Sequence, residues 1–365
     1  MRPTKEQLRR YAVARTLNRP TTLGRAIRRL GFVQADPIRA PARAQDLTLR
    51  HRVTGYLAGD LERRYPRLAL EEDFFVNYGI LPREHSALMH PRVPRRAWSA
   101  RRHRQAEAVF AFVRERGAVH PREVDAEFAH GKTTNWFGGS SNASTRLLDE
   151  MHYRGMLRVV RRDSGTRVYG VREDCGAVLE DDDAIAGRMD ALVDLVVQKY
   201  APLPSRSLGY YLSLLSNGVP QWRALRGDAL KRAKRRLGHA RVESEKWYWP
   251  ATDSPASRRW QPDDRVRLLT PFDPIVHDRR RFELFWGWRY RFEAYTPASR
   301  RQLGYYALPV LWQDRVVGWG NLAVENGKLD SSFGYSDGVG PKDPAFRAEL
   351  EAELERMRVF LGLVC

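Results

Sequence analysis

Cysteine is almost absent from this 365-residue sequence, which contains only two. A pair of thiols, Cys175 and Cys365, is too few for a disulfide framework or a cysteine zinc site. Such scarcity is typical of proteins that work in a reducing compartment. We therefore expect a cytoplasmic protein whose fold depends on neither disulfides nor a structural metal.

Long apolar segments are missing as well. The first residues, MRPTKEQLRR, contain no apolar core of a signal peptide. One of the longest apolar stretches, Ala191–Val197, is interrupted by Asp194 and is far too short to span a bilayer. These features predict a soluble protein that does not bind membranes.

Most sequence signatures of enzyme chemistry are also absent. The chain has no Walker-type glycine loop, no HExxH, no CxxC, no GxSxG and no calcium loop of the EF-hand type. Its histidines are scattered without metal-ligand spacing. These absences argue against nucleotide hydrolysis, zinc hydrolysis and thiol redox chemistry, and we expect neither a metal nor a cofactor.

Positive charge is what the sequence has in excess. It contains 63 basic and 44 acidic residues, a net charge of +19, and its pI is about 10.3. Such an excess implies a polyanionic partner, either nucleic acid or an anionic membrane surface. Because membrane binding is the weaker of these two alternatives, we predict double-stranded DNA as the partner of a monomeric, nucleoid-associated protein.

The length predicts several domains in an α+β fold, and the clearest covers residues 101–178. Helical spacing over Gln105–Gly117, a second helix from Pro121 and a third capped by Asn142 precede a basic β-hairpin. Three helices and a hairpin are the order of a winged helix. The hairpin arginines predicted to contact DNA phosphates are Arg158, Arg161, Arg162 and Arg167.

Similar patterns flank this segment, so the sequence predicts tandem winged-helix modules in residues 1–100, 101–178 and 179–255. The first has predicted helices at Thr4–Asn18, Thr22–Leu30 and Arg43–Arg52. In the third, predicted helices lie at Asp183–Tyr200, Ser205–Leu215, with Ser205 as cap, and Arg223–Leu237. The last of these helices supplies the predicted DNA contacts Lys231, Arg232, Lys234 and Arg235.

Residues 256–365 have a different pattern, in which short β-rich segments alternate with turns. Five such segments are VRLLTPFDPIV, YRFEAYT, YYALPVLW, RVVGWGNLAV and KLDSSFGY. Asn326-Gly327 is a hairpin signal. We expect a small C-terminal β-barrel that is closed by a helix over Pro344–Leu361.

One short segment carries candidate catalytic groups. Phe32–Asp36 is predicted to be a strand that ends at Pro37, and Gln34 and Asp36 would then point to the same face. An amide and a carboxylate on one face are suited to hold a water molecule between them. Taken by itself, this pair fits a polar strand edge with an Asp-Pro turn better than a catalytic site.

The residues around this pair resemble a known family. Leu30–Val53 and Leu268–Leu322 are similar to the YcaQ/AlkZ group of bacterial DNA glycosylases. The resemblance implies tandem winged helices bent around a DNA-sized concavity, followed by a C-terminal β-barrel. The two segments also contain three further predicted DNA contacts, which are Arg43, His277 and Arg279.

The resemblance also implies a reaction. Members of the group remove N7-alkylated purines and unhook interstrand crosslinks, and their catalytic Gln-x-Asp element corresponds to Gln34 and Asp36 here. An N7-alkylguanine already carries positive charge, so the base leaves with little acid assistance. The carboxylate would stabilise the cationic sugar and deprotonate a water that the amide orients. The sequence thus predicts a monofunctional DNA glycosylase that repairs alkylation damage.

A second function remains open at this stage. A basic hairpin and a basic helix would serve a non-catalytic winged-helix protein, such as a transcriptional regulator or architectural binder, equally well. The Gln34 and Asp36 pair and the C-terminal domain favour the enzyme, because a minimal regulator needs neither.

Overall fold

The computed structural model describes residues 2–17, 19–94, 96–129, 131–134, 140–173 and 181–363. Cys175, Cys365 and the predicted domain boundary at 178 lie outside the described residues. The chain divides into two compact units. The first unit comprises Met1–Leu61, Val193–Tyr211 and Leu230–Cys365, and the second comprises Glu62–Leu192 and Leu212–Ala229.

Helices and strands are mixed along the chain, as the predicted α+β class requires. The helices are α1 Lys5–Thr16, α2 Leu23–Leu30, α3 Ala44–Leu49, α4 Asp60–Arg64, α5 Arg83–Ala87, α6 Ala100–Arg116, α7 Pro121–Phe128, α8 Ala143–Arg154, α9 Asp182–Tyr200, α10 Ser205–Leu215, α11 Arg226–Arg236, α12 Pro274–His277, α13 Arg279–Trp286 and α14 Pro344–Leu361. The strands are β1 Val33–Gln34, β2 Leu70–Phe74, β3 Tyr78–Pro82, β4 Lys132–Thr134, β5 Ser140–Asn142, β6 Leu157–Asp163, β7 Thr166–Val171, β8 Leu203–Pro204, β9 Gly238–Val242, β10 Glu245–Trp249, β11 Val266–Leu268, β12 Leu308–Trp312, β13 Arg315–Glu325 and β14 Lys328–Tyr335.

Two N-terminal helices of the first unit lead into the short strand β1. A capping box at Thr4 and Gln7 starts α1. Gly31, with a φ of 68°, ends α2 in the left-handed conformation that glycine adopts without strain. The predicted strand Phe32–Asp36 is shorter than expected, because only Val33–Gln34 has strand geometry. Asp36 therefore lies just beyond the end of the strand.

The C-terminal part of the first unit contains an antiparallel sheet in the order β11-β12-β13-β14. Asn326 and Gly327, with φ values of 49° and 73°, form the tight turn that their sequence predicts between β13 and β14. The sheet does not close into the predicted barrel, because within the described residues β11 and β14 remain its two edges. The helix α14 packs against β11, where Glu353 accepts a hydrogen bond from the Leu268 backbone at 2.9 Å.

Two of the five predicted β-rich segments have a different structure. In VRLLTPFDPIV only β11 is a strand, because Asp273 accepts a hydrogen bond from the Ile275 backbone (3.0 Å) and Pro274 occupies the first position of α12. The sequence alone does not distinguish an Asp-Pro pair that starts a helix from one that ends a strand. The segment YRFEAYT, residues 290–296, is an irregular loop.

The second unit contains the order of elements predicted for residues 101–178. Helices α6, α7 and α8 precede the hairpin of β6 and β7, whose turn has Ser164 and Gly165 at positive φ. An isolated antiparallel bridge joins Val119, between α6 and α7, to Tyr169 of β7. Helices and hairpin share a core of buried aliphatic side chains, which includes Val109, Leu147 and Val159.

One predicted helix cap forms differently. Asn142 precedes α8, but its side chain makes no capping hydrogen bond to that helix. Its amide instead donates to the carboxylate of Asp125 on α7. This hydrogen bond to a charged acceptor orients the Asn142 side chain toward α7 instead of toward the first turn of α8.

In the described part of the chain, no helix combines the length and the apolar composition that crossing a membrane would require.

Candidate active site

Gln34 is the last residue of β1, and its side chain is buried in the first unit. Only 5% of Gln34 is exposed, yet no described residue forms a hydrogen bond with its Oε1 atom. A buried acceptor without a partner costs about 1–3 kcal/mol of folding free energy. Positions that retain such a group at this cost are frequently functional.

Asp36 follows two residues later and is half-buried. Its Oδ1 atom accepts a hydrogen bond from the Ile38 backbone (2.9 Å), and its own backbone N–H donates to Oε1 of Gln45 (3.2 Å). The first contact is an Asx turn, which bends the chain beyond β1 and fixes the carboxylate. Burial raises the pKa of Asp36, although the hydrogen bond from Ile38 partly opposes this shift.

A buried lysine supports the start of the strand. Lys199 of α9 is buried, and its ammonium donates a hydrogen bond to the backbone carbonyl of Phe32. Burial and the nearby charge of Arg52 lower the pKa of Lys199 to about 7. Arg52 is itself bound to both carboxylate oxygens of Asp273, at 2.8 and 3.1 Å. Buried charged groups thus hold the backbone that leads to Gln34.

A buried tyrosine is within electrostatic range of Asp36. Tyr306 is buried, and its hydroxyl is 3.3 Å from the hydroxyl of Thr270, at hydrogen-bonding distance. Burial raises the pKa of Tyr306, the hydrogen bond with Thr270 lowers it, and the negative charge of Asp36 raises it further. The charge of the carboxylate therefore acts on a side chain of the C-terminal part of the first unit.

A protein-family comparison matches this chain over nearly its whole length. The family model described as DNA glycosylase AlkZ-like covers residues 27–360, which include Gln34, Asp36 and Tyr306. The chain belongs to this family. Membership supports a DNA glycosylase function in DNA repair, and it implies that the chain binds DNA as its substrate.

The fold of this AlkZ-like protein is similar to a solved structure from the same group. The structure of Streptomyces sahachiroi DNA glycosylase AlkZ superposes with a TM-score of 0.61 at 14% sequence identity. The match covers 99% of this chain and 98% of that chain. At this low identity the similarity concerns the mixed α/β fold.

The hairpin arginines of the AlkZ-like chain have internal carboxylate partners. Arg158 contacts the buried Glu71 at 2.9 Å, and Arg162 binds Glu72 at 2.6 and 2.7 Å. These ion pairs tie β6 to β2 within the second unit. Their guanidinium groups are therefore already neutralised where the sequence predicted phosphate contacts.

The other two hairpin arginines have more accessible partners. Arg161 is exposed and pairs with Asp163 of its own strand at 3.0 Å. Arg167 binds Asp149 at 2.7 Å and lies 4.3 Å from the ring centroid of Tyr78. Exposed ion pairs contribute only about 0–1 kcal/mol, so a phosphate competes with them easily. Arg161 is the hairpin arginine best placed for that exchange.

The basic helix α11 presents its charges on one side. Ala229 and Ala233 are buried, whereas Lys231 and Arg235, one helical turn apart, are exposed. The predicted contacts Arg232 and Lys234 are half-buried beside them. An exposed cationic stripe of this kind suits a phosphate backbone.

The three predicted DNA contacts in the segments that resemble the family, Arg43, His277 and Arg279, are half-buried. Arg43 is the half-buried residue that precedes α3. Nδ1 of His277 is 2.8 Å from the hydroxyl of Tyr211, and burial lowers the pKa of His277 to about 3, so the ring is uncharged at neutral pH. The guanidinium of Arg279 donates to the carbonyls of Val276 and Pro271, at 2.6 and 3.1 Å. His277 and Arg279 thus serve the local structure.

Sequence reasoning missed the charged groups that contact the candidate catalytic segment Phe32–Asp36 and its neighbours. Lys199 lies in an amphipathic helix, where a lysine is ordinarily a solvated residue, and Arg52 and Asp273 are 221 residues apart. Only the Asp-Pro pair at Asp273 offered a signal, because it predicts the start of a helix. Pairings over such separations have no local signature.

Proposed function

We propose that this chain hydrolyses the N-glycosidic bond of cationic N7-alkylated purines in double-stranded DNA, including purines linked across the two strands. Gln34 and Asp36 are the proposed catalytic residues, and the reaction uses no cofactor. The observation that carries the proposal is the buried, unpartnered amide oxygen of Gln34 two residues before a fixed carboxylate.

The substrate itself supplies the acid half of the reaction. An N7-alkylguanine is cationic, so cleavage of the bond between sugar C1′ and base N9 releases a neutral base together with its bonding electrons. The sugar carries the positive charge that develops. An ionised Asp36 stabilises this charge electrostatically. The reaction resembles glycoside hydrolysis in which the general acid is not needed.

Water completes the reaction on the opposite side of the bond. The Gln34 Oε1 atom accepts a hydrogen bond from the water and orients it, and Asp36 takes one proton as the oxygen bonds to C1′. The products are an abasic site, the free base and one proton. The reaction requires Asp36 in its ionised form, and burial raises the pKa of this carboxyl, so protonation of Asp36 on acidification should stop the reaction.

Winged-helix modules are the proposed scaffold that holds DNA against this pair. The helix-helix-helix-hairpin order of α6, α7, α8, β6 and β7 supports one module in the second unit. The exposed charges of Arg161, Lys231 and Arg235 are the proposed phosphate contacts. A monomer with these contacts needs no second subunit for catalysis.

The charge of the base is the feature that tests this function. We expect base release from a duplex with one N7-methylguanine to be at least about 100-fold faster than from the same duplex with neutral O6-methylguanine, since only the former leaves without acid assistance. Free base is measured by mass spectrometry in single-turnover reactions, and a duplex with an N7-linked crosslink tests unhooking. Equal, buffer-level release from all three would favour the non-catalytic DNA-binding protein.

Replacement of Gln34 by methionine separates its role in catalysis from its role in stability. Gln34→Met removes the unsatisfied acceptor, so the free energy of unfolding should stay equal or rise by up to about 1 kcal/mol. The rate of base release should fall at least about tenfold, because the water loses its acceptor. Urea unfolding and single-turnover kinetics measure the two effects. A variant that is less stable and fully active would assign Gln34 to the core instead.

The salt dependence of binding tests the phosphate contacts on α11. Arg235→Gln should lower the slope of log affinity against log salt concentration by about 0.9, the contribution of one lost phosphate contact. Arg358→Gln on α14 removes the same charge from a residue that pairs with Glu355 and should leave the slope unchanged. Identical slopes for wild type and Arg235→Gln would remove this arginine from the interface.

A further inference from the structure

Two tyrosines of the C-terminal segment are unusually exposed. Tyr295 is 74% exposed and Tyr305 is 45% exposed. Exposed apolar side chains that form a patch with a polar rim mark interaction sites, whereas single exposed ones do not. Neither residue belongs to the proposed catalytic pair, and both lie in the first unit.

The ring of Tyr295 contacts a cluster of three aromatic side chains, of which Tyr306 is buried and Phe272 and Phe292 are half-buried. Its centroid is 6.1 Å from that of Phe292 in an edge-to-face contact. Phe292 contacts Tyr306 at 5.4 Å and Phe272 at 5.2 Å in the same manner. Edge-to-face pairs hold rings in defined orientations. The exposed ring of Tyr295 therefore contacts the half-buried Phe292, which in turn packs against the buried Tyr306.

The loop that carries Tyr295 is fixed by hydrogen bonds. The buried carboxylate of Glu293 accepts from the backbones of Gln302 and Leu303, at 2.9 and 2.7 Å. Arg301 donates to the carbonyl of Thr296 at 2.8 Å. These contacts close the loop on itself, so the exposed tyrosine is presented on an ordered backbone.

The same loop is basic as well as aromatic. Arg291 and Arg300 are exposed, and the guanidinium of Arg301 lies 5.0 Å from the ring centroid of Tyr305. Arginines interleaved with exposed rings are the combination by which proteins hold the backbone and the bases of nucleic acids. The charge of this patch argues for a nucleic-acid ligand rather than for a protein partner.

The cluster is also within electrostatic range of the proposed catalytic carboxylate. The charge of Asp36 reaches both Tyr306, within the cluster, and Tyr295, at its surface. Burial, the charge of Asp36 and the neighbouring Tyr305 all raise the pKa of Tyr295, so its phenol is neutral and its ring is electron-rich at neutral pH.

We propose that Tyr295, with Tyr305 beside it, forms the stacking surface for the alkylated purine that leaves when Asp36 activates the attacking water. The inference rests on the proposed function and adds a specificity determinant to it. The face of a phenol ring attracts a cation, so stacking favours a cationic N7-alkylpurine over an unmodified purine. Adduct selection then depends on a ring as well as on the leaving ability of the base.

Removal of the ring should lower both activity and recognition of damage. We expect Tyr295→Ala to reduce single-turnover base release from an N7-methylguanine duplex by about 5- to 150-fold, the equivalent of about 1–3 kcal/mol per stacked base. Tyr295→Phe should remain within about twofold of wild type, because the face of the ring is retained. Val339→Ala, at a 70% exposed position elsewhere in the unit, should leave release unchanged.

A binding measurement keeps this inference separate from the proposed function. In an Asp36→Asn background, the affinity ratio between N7-methylguanine duplex and undamaged duplex should fall at least about fivefold on adding Tyr295→Ala. If Tyr295→Ala changed neither the rate of base release nor the affinity ratio, the stacking role of Tyr295 would be overturned. A phenylalanine variant as impaired as the alanine variant would overturn it too. If the wild type released no base but its affinity ratio still depended on Tyr295, the glycosylase proposal would be wrong and the stacking role would stand.

Discussion

Asp36→Asn should lower the single-turnover rate of base release from N7-methylguanine DNA by about 10²- to 10⁴-fold, because general-base assistance and charge stabilisation are both lost. The asparagine oxygen still accepts the hydrogen bond from Ile38, so the turn after β1 is kept. DNA affinity should therefore stay within about twofold of wild type. Rates are measured by quantifying alkali-labile sites over a range of pH.

Two comparisons make this result specific. Asp337→Asn introduces the same change at an exposed carboxylate of the same unit and should not alter the rate. Burial raises the pKa of Asp36, so the wild-type rate should fall on acidification at a pH above the value of about 4 for an ordinary aspartate. A variant as active as wild type would exclude Asp36 as the base.

Asp73→Ala should destabilise the second unit by about 3–5 kcal/mol, because it leaves buried positive groups without their counter-charge. Asp73 accepts hydrogen bonds from His90 at 2.6 Å, from Arg92 at 3.0 Å and from Ser86 at 3.0 Å. Burial opposes its ionisation, but the charges of Arg92 and His90 outweigh burial and hold the pKa of Asp73 well below its usual range. Urea unfolding followed by tryptophan fluorescence measures the loss.

Asp163→Ala is the matched control for this prediction, since it breaks the exposed ion pair with Arg161 and should cost less than about 1 kcal/mol. The pKa of Asp73 is lowered on folding, so its contribution is present above the unfolded value of about 3.9 and is lost as the pH falls toward the folded value. The difference between wild type and Asp73→Ala should accordingly shrink below that pH. An equal cost for both substitutions would show that the buried network contributes no more than a surface pair.

Local signals predicted the elements that depend on local physics. The final helix spans Pro344–Leu361 as expected, because Asp343 caps it, Pro344 suits its first turn and Gly362 ends it. The turns at Asn326-Gly327 and Ser164-Gly165 formed where residues that tolerate positive φ interrupt two β-rich segments. The spacing of the proposed catalytic residues Gln34 and Asp36 is also local, so the pair could be proposed from the sequence.

Contacts between distant residues could not be predicted in the same way. Glu71 and Glu72 are acidic residues in a strand, a pattern that suggests an exposed edge, but both are buried because arginines 87 and 90 positions later neutralise them. The same pairing explains why Arg158 and Arg162 look like phosphate contacts in the sequence. Whether the C-terminal sheet closes into a barrel could not be predicted either, because pairing between its edge strands β11 and β14 depends on the arrangement of the whole sheet.

The most direct test of the account is the detection of free 7-methylguanine from a duplex with a single N7-methylguanine, at neutral pH and without added metal. Wild-type protein in excess should release one free base per duplex and leave one abasic site in its place, well above the spontaneous release in buffer. Release from the wild type that equals the buffer control, with the duplex bound, would contradict catalysis by Gln34 and Asp36.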